Sequence, residues 1–198
     1  RYNTALGRNA MTVNASGWYN TASGYAALRN STGYYNTATG ANALYNTTAE
    51  GNTAIGVQSS LTNTTGNYNT TIGFQSFNNN ATGAYNVAVG HKAGYFETGS
   101  NKLYIENSDA DANNALVYGE FDTKILRTNG TLQIGNPATT GYALPTSKGN
   151  NGEVLQSNGT GGTAWVTPNS SLSVMRTNLS TTQTLSAIGW QLVTFNTV

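Results

Sequence analysis

Few side chains in this sequence are suited to acid–base or metal chemistry, and histidine is the scarcest of them. His91 is the only histidine, so no histidine pair can bind a metal and a catalytic triad would have a single candidate base. It follows Gly90 at a position that similar stretches of the chain fill with Arg8, Tyr25 or Val57. We therefore interpret His91 as a surface side chain.

The carboxylates do not predict hydrolysis of a glycan. Glycoside hydrolysis needs two carboxyl groups about 5 to 10 Å apart around a sugar, yet residues 1–100 contain only Glu50 and Glu97. The Gly-x-Gly-like spacings lie in turns of a repeat rather than in a strand–loop–helix unit that would cradle a phosphate. We expect no enzyme activity and no cofactor.

A short acidic stretch is the candidate for metal binding. Asp109 and Asp111, with Glu106 and Asn113 nearby, could supply oxygen ligands to calcium, but the EF-hand spacing is missing and a solvated turn is the favoured alternative. The chain has no cysteine, which excludes disulfides and thiolate ligands. We predict no metal site.

Aromatic residues recur at regular positions. Tyr19, Tyr35, Tyr68 and Tyr85 each precede an asparagine of the repeat. Such a ladder could stack on sugars, and packing between successive coils explains the same spacing. Packing is the favoured reading, and glycan stacking remains the functional alternative.

These residues are positioned by a repeat that fills the first hundred residues. Copies begin at Asn3, Asn20, Asn36, Asn52, Asn69 and Asn86, and a glycine follows four residues later at Gly7, Gly24, Gly40, Gly56, Gly73 and Gly90. A second glycine occurs at Gly17, Gly33, Gly51, Gly66, Gly83 and Gly99. The copies are 16 or 17 residues apart, and a period below about 20 residues indicates a solenoid or stacked array.

The length of the unit predicts a thin coil. At about 3.3 Å per residue, 16 residues allow two strands of roughly five residues and two turns. Alternation places Thr53 and Ile55 on one face of a strand and Ala54 on the other. One such coil cannot bury enough apolar surface to offset an ordering cost of about 1 to 2 kcal/mol per residue. Stacking, and association with identical chains, would stabilise it.

The repeat resembles the head repeats of trimeric autotransporter adhesins and the Asn-Thr-Ala-x-Gly repeats of tail-fibre proteins from phages and contractile particles. The most similar stretches are Asn52–Gly56 and Asn86–Gly90. The resemblance implies an all-β fold, a left-handed parallel β-roll that is stable as a homotrimer, followed by short β modules of a fibre shaft. The adhesin repeats are slightly shorter than those of this chain, so the resemblance does not predict the conformation of the turns.

The rest of the chain divides into three further segments. Residues 101–135 carry four short strand patterns and resemble the shoulder of tail-fibre proteins, which implies a trimeric collar. Residues 136–168 are rich in Gly, Asn, Thr and Ser and read as shaft hairpins or a linker. Residues 169–198 resemble the opening strands of a jelly-roll head of the tumour-necrosis-factor or complement type, which would continue beyond Val198.

Composition restricts the function classes. The chain is 37% hydrophobic and 9% charged, with a formal net charge of +1. It has too few apolar residues for a conventional core. It also lacks the high net charge that is typical of disordered chains. Its nine Lys and Arg are scattered, which argues against nucleic-acid binding. No apolar run is long enough for a membrane span and no signal peptide opens the chain. Because the chain starts at Arg1, we expect an internal or processed piece.

These features predict an extracellular structural protein. We expect the shaft segment of a homotrimeric tail fibre or surface adhesin, on a virion, a contractile injection particle or a bacterial surface, that displays a distal head for host attachment. Its partners would be itself, baseplate or other fibre proteins, and a receptor or glycan bound by the head. The alternative is a monomeric Thr-rich β-solenoid that binds carbohydrate or ice, and a tailspike that degrades polysaccharide is disfavoured by the missing carboxylates.

Overall fold

A computed structural model describes residues 2–14, 16–136, 138 and 141–168, and this part of the chain is all-β. It contains two compact units, the first covering residues 1–132 and the second beginning at Gln133. Among the described residues there is no helix that could cross a membrane. The predicted head at 169–198 lies outside the described residues.

The first unit is a β-solenoid built on one sheet. Its strands are β1 Thr4–Leu6, β2 Thr21–Ser23, β3 Thr37–Thr39, β4 Thr53–Ile55, β5 Thr70–Ile72, β6 Val87–Val89, β7 Lys102–Ile105, β8 Val117–Glu120 and β9 Ile125–Thr128, and they lie side by side in chain order. Strands β1 to β7 are parallel, whereas β8 and β9 continue the sheet in antiparallel pairing. The predicted β-solenoid is confirmed.

The second unit contains short antiparallel pairs. Strands β10 Gln133–Ile134 and β11 Tyr142–Ala143 form one pair, and β12 Val154–Ser157 and β13 Thr163–Val166 form the other. An ordered hairpin therefore occupies part of the stretch that the sequence left open between hairpins and linker. Trp165 anchors it by donating its indole N–H to the carbonyl of Ser147 over 2.7 Å.

The prediction of two strands per coil is wrong. Each coil has one strand of three residues, and the second half has left-handed backbone at alternate residues, such as Ala26 with φ 53° and Leu28 with φ 47°. Alternating signs of φ exclude extended β structure. This half still bonds the next coil, because the Leu28 N–H donates to the Ala43 carbonyl over 3.0 Å.

The predicted alternation along each strand is confirmed. Ala54 is fully buried inside the coil, whereas Ile55 is 40% exposed on the outer face. The interior is made of small side chains with one larger apolar residue per coil at several levels. It forms two apolar clusters, one built around Leu28 and Leu44 and the other around Phe77 and Tyr104.

A layer of hydroxyl groups separates these two clusters. The Oγ atoms of Ser59 and Ser60 lie 2.8 and 2.9 Å from the Oγ1 of Thr71, and all three side chains are buried. These residues stand where an earlier layer has Ala43, Leu44 and Ala54. Three polar replacements that bond one another keep every hydroxyl satisfied inside a narrow core.

We expect Thr71→Val to lower the free energy of unfolding by about 1 to 3 kcal/mol, because it removes the hydroxyl that both serines bond. Thermal unfolding followed by circular dichroism at a fixed chain concentration measures the effect. Thr70→Val is the matched control, since its outward position in the next coil is Val87. Equal melting temperatures for the two variants would contradict the role assigned to the hydroxyl layer.

Candidate functional site

The repeat asparagines form a buried ladder that joins each coil to the next. The backbone N–H groups of Asn20, Asn36, Asn52, Asn69, Asn86 and Lys102 each donate to the Oδ1 of the repeat asparagine one coil earlier, over 2.8 to 3.0 Å. All repeat asparagines from Asn20 to Asn86 are at most 1% exposed. Each side-chain oxygen therefore satisfies a backbone donor that no strand bonds.

The same side chains also act as donors. The Nδ2 atoms of Asn3, Asn20, Asn36, Asn69 and Asn86 bond the carbonyls of Gly17, Gly33, Ala49, Gly83 and Gly99 over 2.8 to 3.0 Å. A buried amide that uses both its oxygen and its nitrogen fixes the entry and exit of a coil together. No shorter polar side chain offers both groups at this reach.

The residues that flank the ladder asparagine have special backbone geometry. Tyr19, Tyr35, Tyr68 and Tyr85 have φ between 55° and 59°. Four residues after the asparagine, Gly24, Gly40, Gly56, Gly73 and Gly90 have φ between 122° and 137°. A Cβ on Gly56 would lie 2.3 Å from the Gly73 carbonyl oxygen. Glycine is therefore required both by its φ and by the close approach of the next coil.

One glycine assigned to the second row is corrected by the structure. Ala49, not Gly51, takes the place that Gly33 has in the preceding coil, because the Asn36 Nδ2 bonds the Ala49 carbonyl. Gly51 instead takes the position of a ladder tyrosine, with φ 67°. The assignment went wrong because it matched residue type rather than distance from the ladder asparagine.

The extra residue of the longer coils lies in one turn, which the sequence reading missed. Asn14, Asn63 and Asn80 accept the N–H of the glycine three residues later over 2.6 to 3.1 Å. In two shorter coils Thr47 and Glu97 instead accept an N–H two residues later. Asparagine at this position therefore accompanies the longer coils. The signal was readable from the sequence as asparagine in every 17-residue copy.

A buried donor without a partner occurs at the same level as Gly51. The Nδ2 of Asn52 has no hydrogen-bond acceptor among the described residues. The expected acceptor, the Gly66 carbonyl, is bonded instead by the Nδ2 of Asn63 over 3.0 Å. The ladder is therefore weakened in this coil.

The tyrosines that precede the ladder asparagines stack on each other at the surface. Ring centroids are 5.2 Å apart for Tyr2–Tyr19 and for Tyr19–Tyr35, and 5.3 Å apart for Tyr68–Tyr85. Gly51 interrupts the column, and Tyr68 leans over it while its hydroxyl donates to the Glu50 Oε1 over 2.6 Å. Stacked rings cover each other's faces, so packing between coils accounts for the column and leaves mainly ring edges for a glycan.

The outer face of the sheet carries two regular rows of side chains. The first row is Thr4, Thr21, Thr37, Thr53 and Thr70, continued by Val87 and Leu103, and the second is Leu6, Ser23, Thr39, Ile55, Ile72, Val89 and Ile105. Neither row contains a charge. Ile55, Ile72 and Ile105 are 39 to 43% exposed. We call this surface, from β1 to β7, the outer sheet face.

The acid–base candidates have structural partners. His91 is exposed and stacks on Phe74 with ring centroids 5.5 Å apart. Asp109 pairs with Lys92 over 3.7 Å, and the Asp111 Oδ1 accepts the N–H groups of Asn113 and Asn114. Within the described part of the chain, no three His, Cys, Asp or Glu side chains are placed to share a metal ion.

Hydrogen bonds shift the pKa values of the acids that close the solenoid. The N–H of Leu116 donates to Glu106 and lowers the pKa of that carboxyl, and donation from Thr123 and Tyr118 lowers the pKa of Glu120 to about 2. Burial, with a hydrogen bond to Glu97, raises the pKa of Tyr104. These groups join β7 and β8 to neighbouring turns, with Glu97 before β7 and Leu116 and Thr123 after β7 and β8.

The chain matches no protein-family model, no curated protein and no solved structure. Function must therefore be argued from the geometry of its surfaces.

We expect Asn36→Ala to destabilise the solenoid by about 2 to 4 kcal/mol, because it leaves the Asn52 N–H and the Ala49 carbonyl buried without partners. The melting temperature at matched chain concentration measures the loss. Asn46→Ala is the control, since Asn46 is exposed and bonds only the Asn30 side chain. Similar melting temperatures for the two variants would remove the ladder from the account of stability.

Proposed function

We propose that this chain is the shaft segment of a homotrimeric tail fibre or surface adhesin, which holds a distal receptor-binding head for attachment to a target cell. The supporting observation is the outer sheet face, where isoleucines repeat in register on a surface without charges. Such a fibre would be extracellular, on a virion, a contractile injection particle or a bacterial surface.

The apolar side chains on this face are not covered by any of the residues that the structure describes. Ile55 pairs in register with Ile72, which pairs with Val89, which pairs with Ile105. Val57 and Phe74 directly follow Gly56 and Gly73, and they are 43 and 44% exposed. Continuous apolar patches of this kind mark interaction surfaces on soluble proteins. A second copy of the chain supplies an identical apolar row.

The geometry suits chains that run parallel about a shared axis. Seven strands at about 4.8 Å spacing give a face about 29 Å long, and the narrow three-residue strands bring its two rows close together. Three parallel copies can place the same row at a threefold axis, so each level of isoleucines forms a closed ring. Threefold closure covers all three faces and leaves no further site for growth sideways.

The mechanical role follows from how the coils are joined. Each coil bonds the next through strand pairing, through the second half of the coil and through the asparagine ladder, so bending must break several bonds at one level. A stiff trimer presents three copies of whatever head it carries, and weak contacts then gain through avidity. Baseplate or other fibre proteins would bind its opposite end.

The threonine row is the observation that favours the alternative, a monomeric solenoid that binds carbohydrate or ice. Five threonines stand in register from Thr4 to Thr70. The row beside them changes from Leu6 to Ser23, Thr39 and Ile55, so threonine fills both rows only at β3. A face with threonine in one row and mainly apolar residues in the other is better suited to contact with another chain than to an ordered array of water or sugar molecules.

Sedimentation equilibrium of the whole chain tests the proposal. The mass of one chain is 20.8 kDa, and we expect a species about three times heavier that persists on dilution. A folded species with the mass of one chain would overturn the fibre proposal and turn attention to the threonine row, where thermal hysteresis or glycan binding would then be measured.

A substitution on the outer sheet face locates the contact. We expect Ile72→Lys to shift the trimer towards smaller species, because each chain would place a charge in the closed ring where it has no partner. Leu116→Lys is the matched control, since Leu116 is 57% exposed and lies outside the strands. A trimer mass for Ile72→Lys equal to that of the control would place the contact elsewhere.

A further inference from the structure

A cavity of about 180 Å³ lies at the end of the solenoid, next to the turn before β8. It is lined by Gly94, Phe96, Glu97, Tyr104 and Asp111 together with two alanines. All of these residues belong to the first compact unit. The cavity is therefore lined by two aromatic side chains and two carboxylates.

The last coil has a glycine at its core position, beside this cavity. Gly94 stands at the position that earlier coils fill with the buried Leu28, Leu44 and Phe77. Its φ of 60° matches the left-handed backbone of those residues. The Phe77 and Tyr104 rings fill the space beside it, since a Cβ on Gly94 would lie 2.7 Å from the Phe77 ring and 3.2 Å from the Tyr104 ring. The cavity lies next to the Tyr104 ring, where Gly94, Phe96 and Glu97 meet residues 110–112.

The two carboxylates at the cavity have no cationic partner among the described residues. The Asp109 and Glu120 carboxylates nearby are paired with Lys92 and Lys102 at 3.7 and 3.4 Å. By contrast, Glu97 accepts only neutral donors: the N–H groups of residues 98 and 99 on Oε1 and the Tyr104 hydroxyl on Oε2. The cavity therefore has two uncompensated negative charges.

One oxygen of Asp111 is available to a ligand. Its Oδ1 accepts two backbone N–H groups and the Asn114 amide, whereas no hydrogen bond to its Oδ2 is found within the described residues. A free carboxylate oxygen beside a cavity binds an ammonium or a hydroxyl group strongly. The carboxylate is held in place by the turn that it caps.

The aromatic lining adds a second recognition element. Phe96 is 63% exposed, and its ring contacts Tyr95 edge to face with centroids 4.8 Å apart. A ring in this state can stack on the C–H face of a pyranose or on a cation. A cavity of about 150 Å³ holds benzene, so the observed volume of about 180 Å³ admits one six-membered ring.

We propose that this cavity binds a monosaccharide unit with a free amino group, with its ammonium at Glu97 and Asp111 and its ring against Phe96. The site lies within one chain and goes beyond the shaft role, so it does not depend on the number of chains in the assembly. A neutral sugar would lack the charge that the two carboxylates call for, and a simple alkylammonium would lack the ring.

Titration of the whole chain with small probes tests the proposal. D-glucosamine, N-acetyl-D-glucosamine and n-butylammonium are compared by calorimetry and saturation-transfer NMR at pH 6. We expect saturable binding of glucosamine, with each of the other two at least about tenfold weaker, since a charge-assisted bond or a ring contact is lost. Equal binding of N-acetylglucosamine would overturn the charged site, and equal binding of butylammonium would overturn the sugar assignment.

Matched variants locate the binding. Asp111→Asn keeps an acceptor for the turn and removes the charge, and we expect it to weaken glucosamine about tenfold. Asp109→Asn in the same turn is the control and should bind as the parent does. Phe96→Leu, at a position that is 63% exposed, should also weaken binding. If glucosamine does not saturate, or if Asp111→Asn matches its control and Phe96→Leu matches the parent, the proposal fails whatever the mass of the assembly.

Discussion

The buried side-chain amide of the repeat asparagine is the constraint on which the first unit depends. Its oxygen accepts the N–H of the next ladder residue, and in five of the coils its nitrogen bonds the carbonyl at the turn. One group thus sets the spacing between coils and the point at which each coil turns. The left-handed residue before it and the glycine after it follow, because the chain must enter and leave the ladder without a side chain between coils.

This constraint explains why the fold class could be predicted from the sequence and why the second half of each coil could not. Asparagine and glycine recur in one frame, and a period-2 pattern places Ala54 inside and Ile55 outside. In the second half, Ala26, Leu28 and Gln58 have positive φ. Such residues rarely adopt this backbone, so the length of the unit led to the prediction of a second strand there. The bonds between stacked coils hold a conformation that no isolated segment favours.

Irregularities in the ladders were also beyond the sequence reading, because their partners are distant in the chain. Ser59, Ser60 and Thr71 look like unrelated polar residues until the coils stack and bring their hydroxyls together. Gly51 looked like a turn glycine until the distance from Asn36 was set by a hydrogen bond. Gly94 is similar, since the rings that fill the space beside it come from Phe77 in the preceding coil and from Tyr104. Periodic sequences reveal the repeat more readily than its exceptions.

The narrow coil also determines where large apolar side chains can go. Three-residue strands enclose a core wide enough for alanine and one leucine or phenylalanine per level, and at one level only for hydroxyl groups. Isoleucines at the third strand position therefore lie outside, although burial would remove apolar area worth about 25 cal/mol per Å². In the fibre that we propose, a second copy would cover the apolar residues that the narrow coil leaves on its outer face. Coil width would then be the physical reason for association.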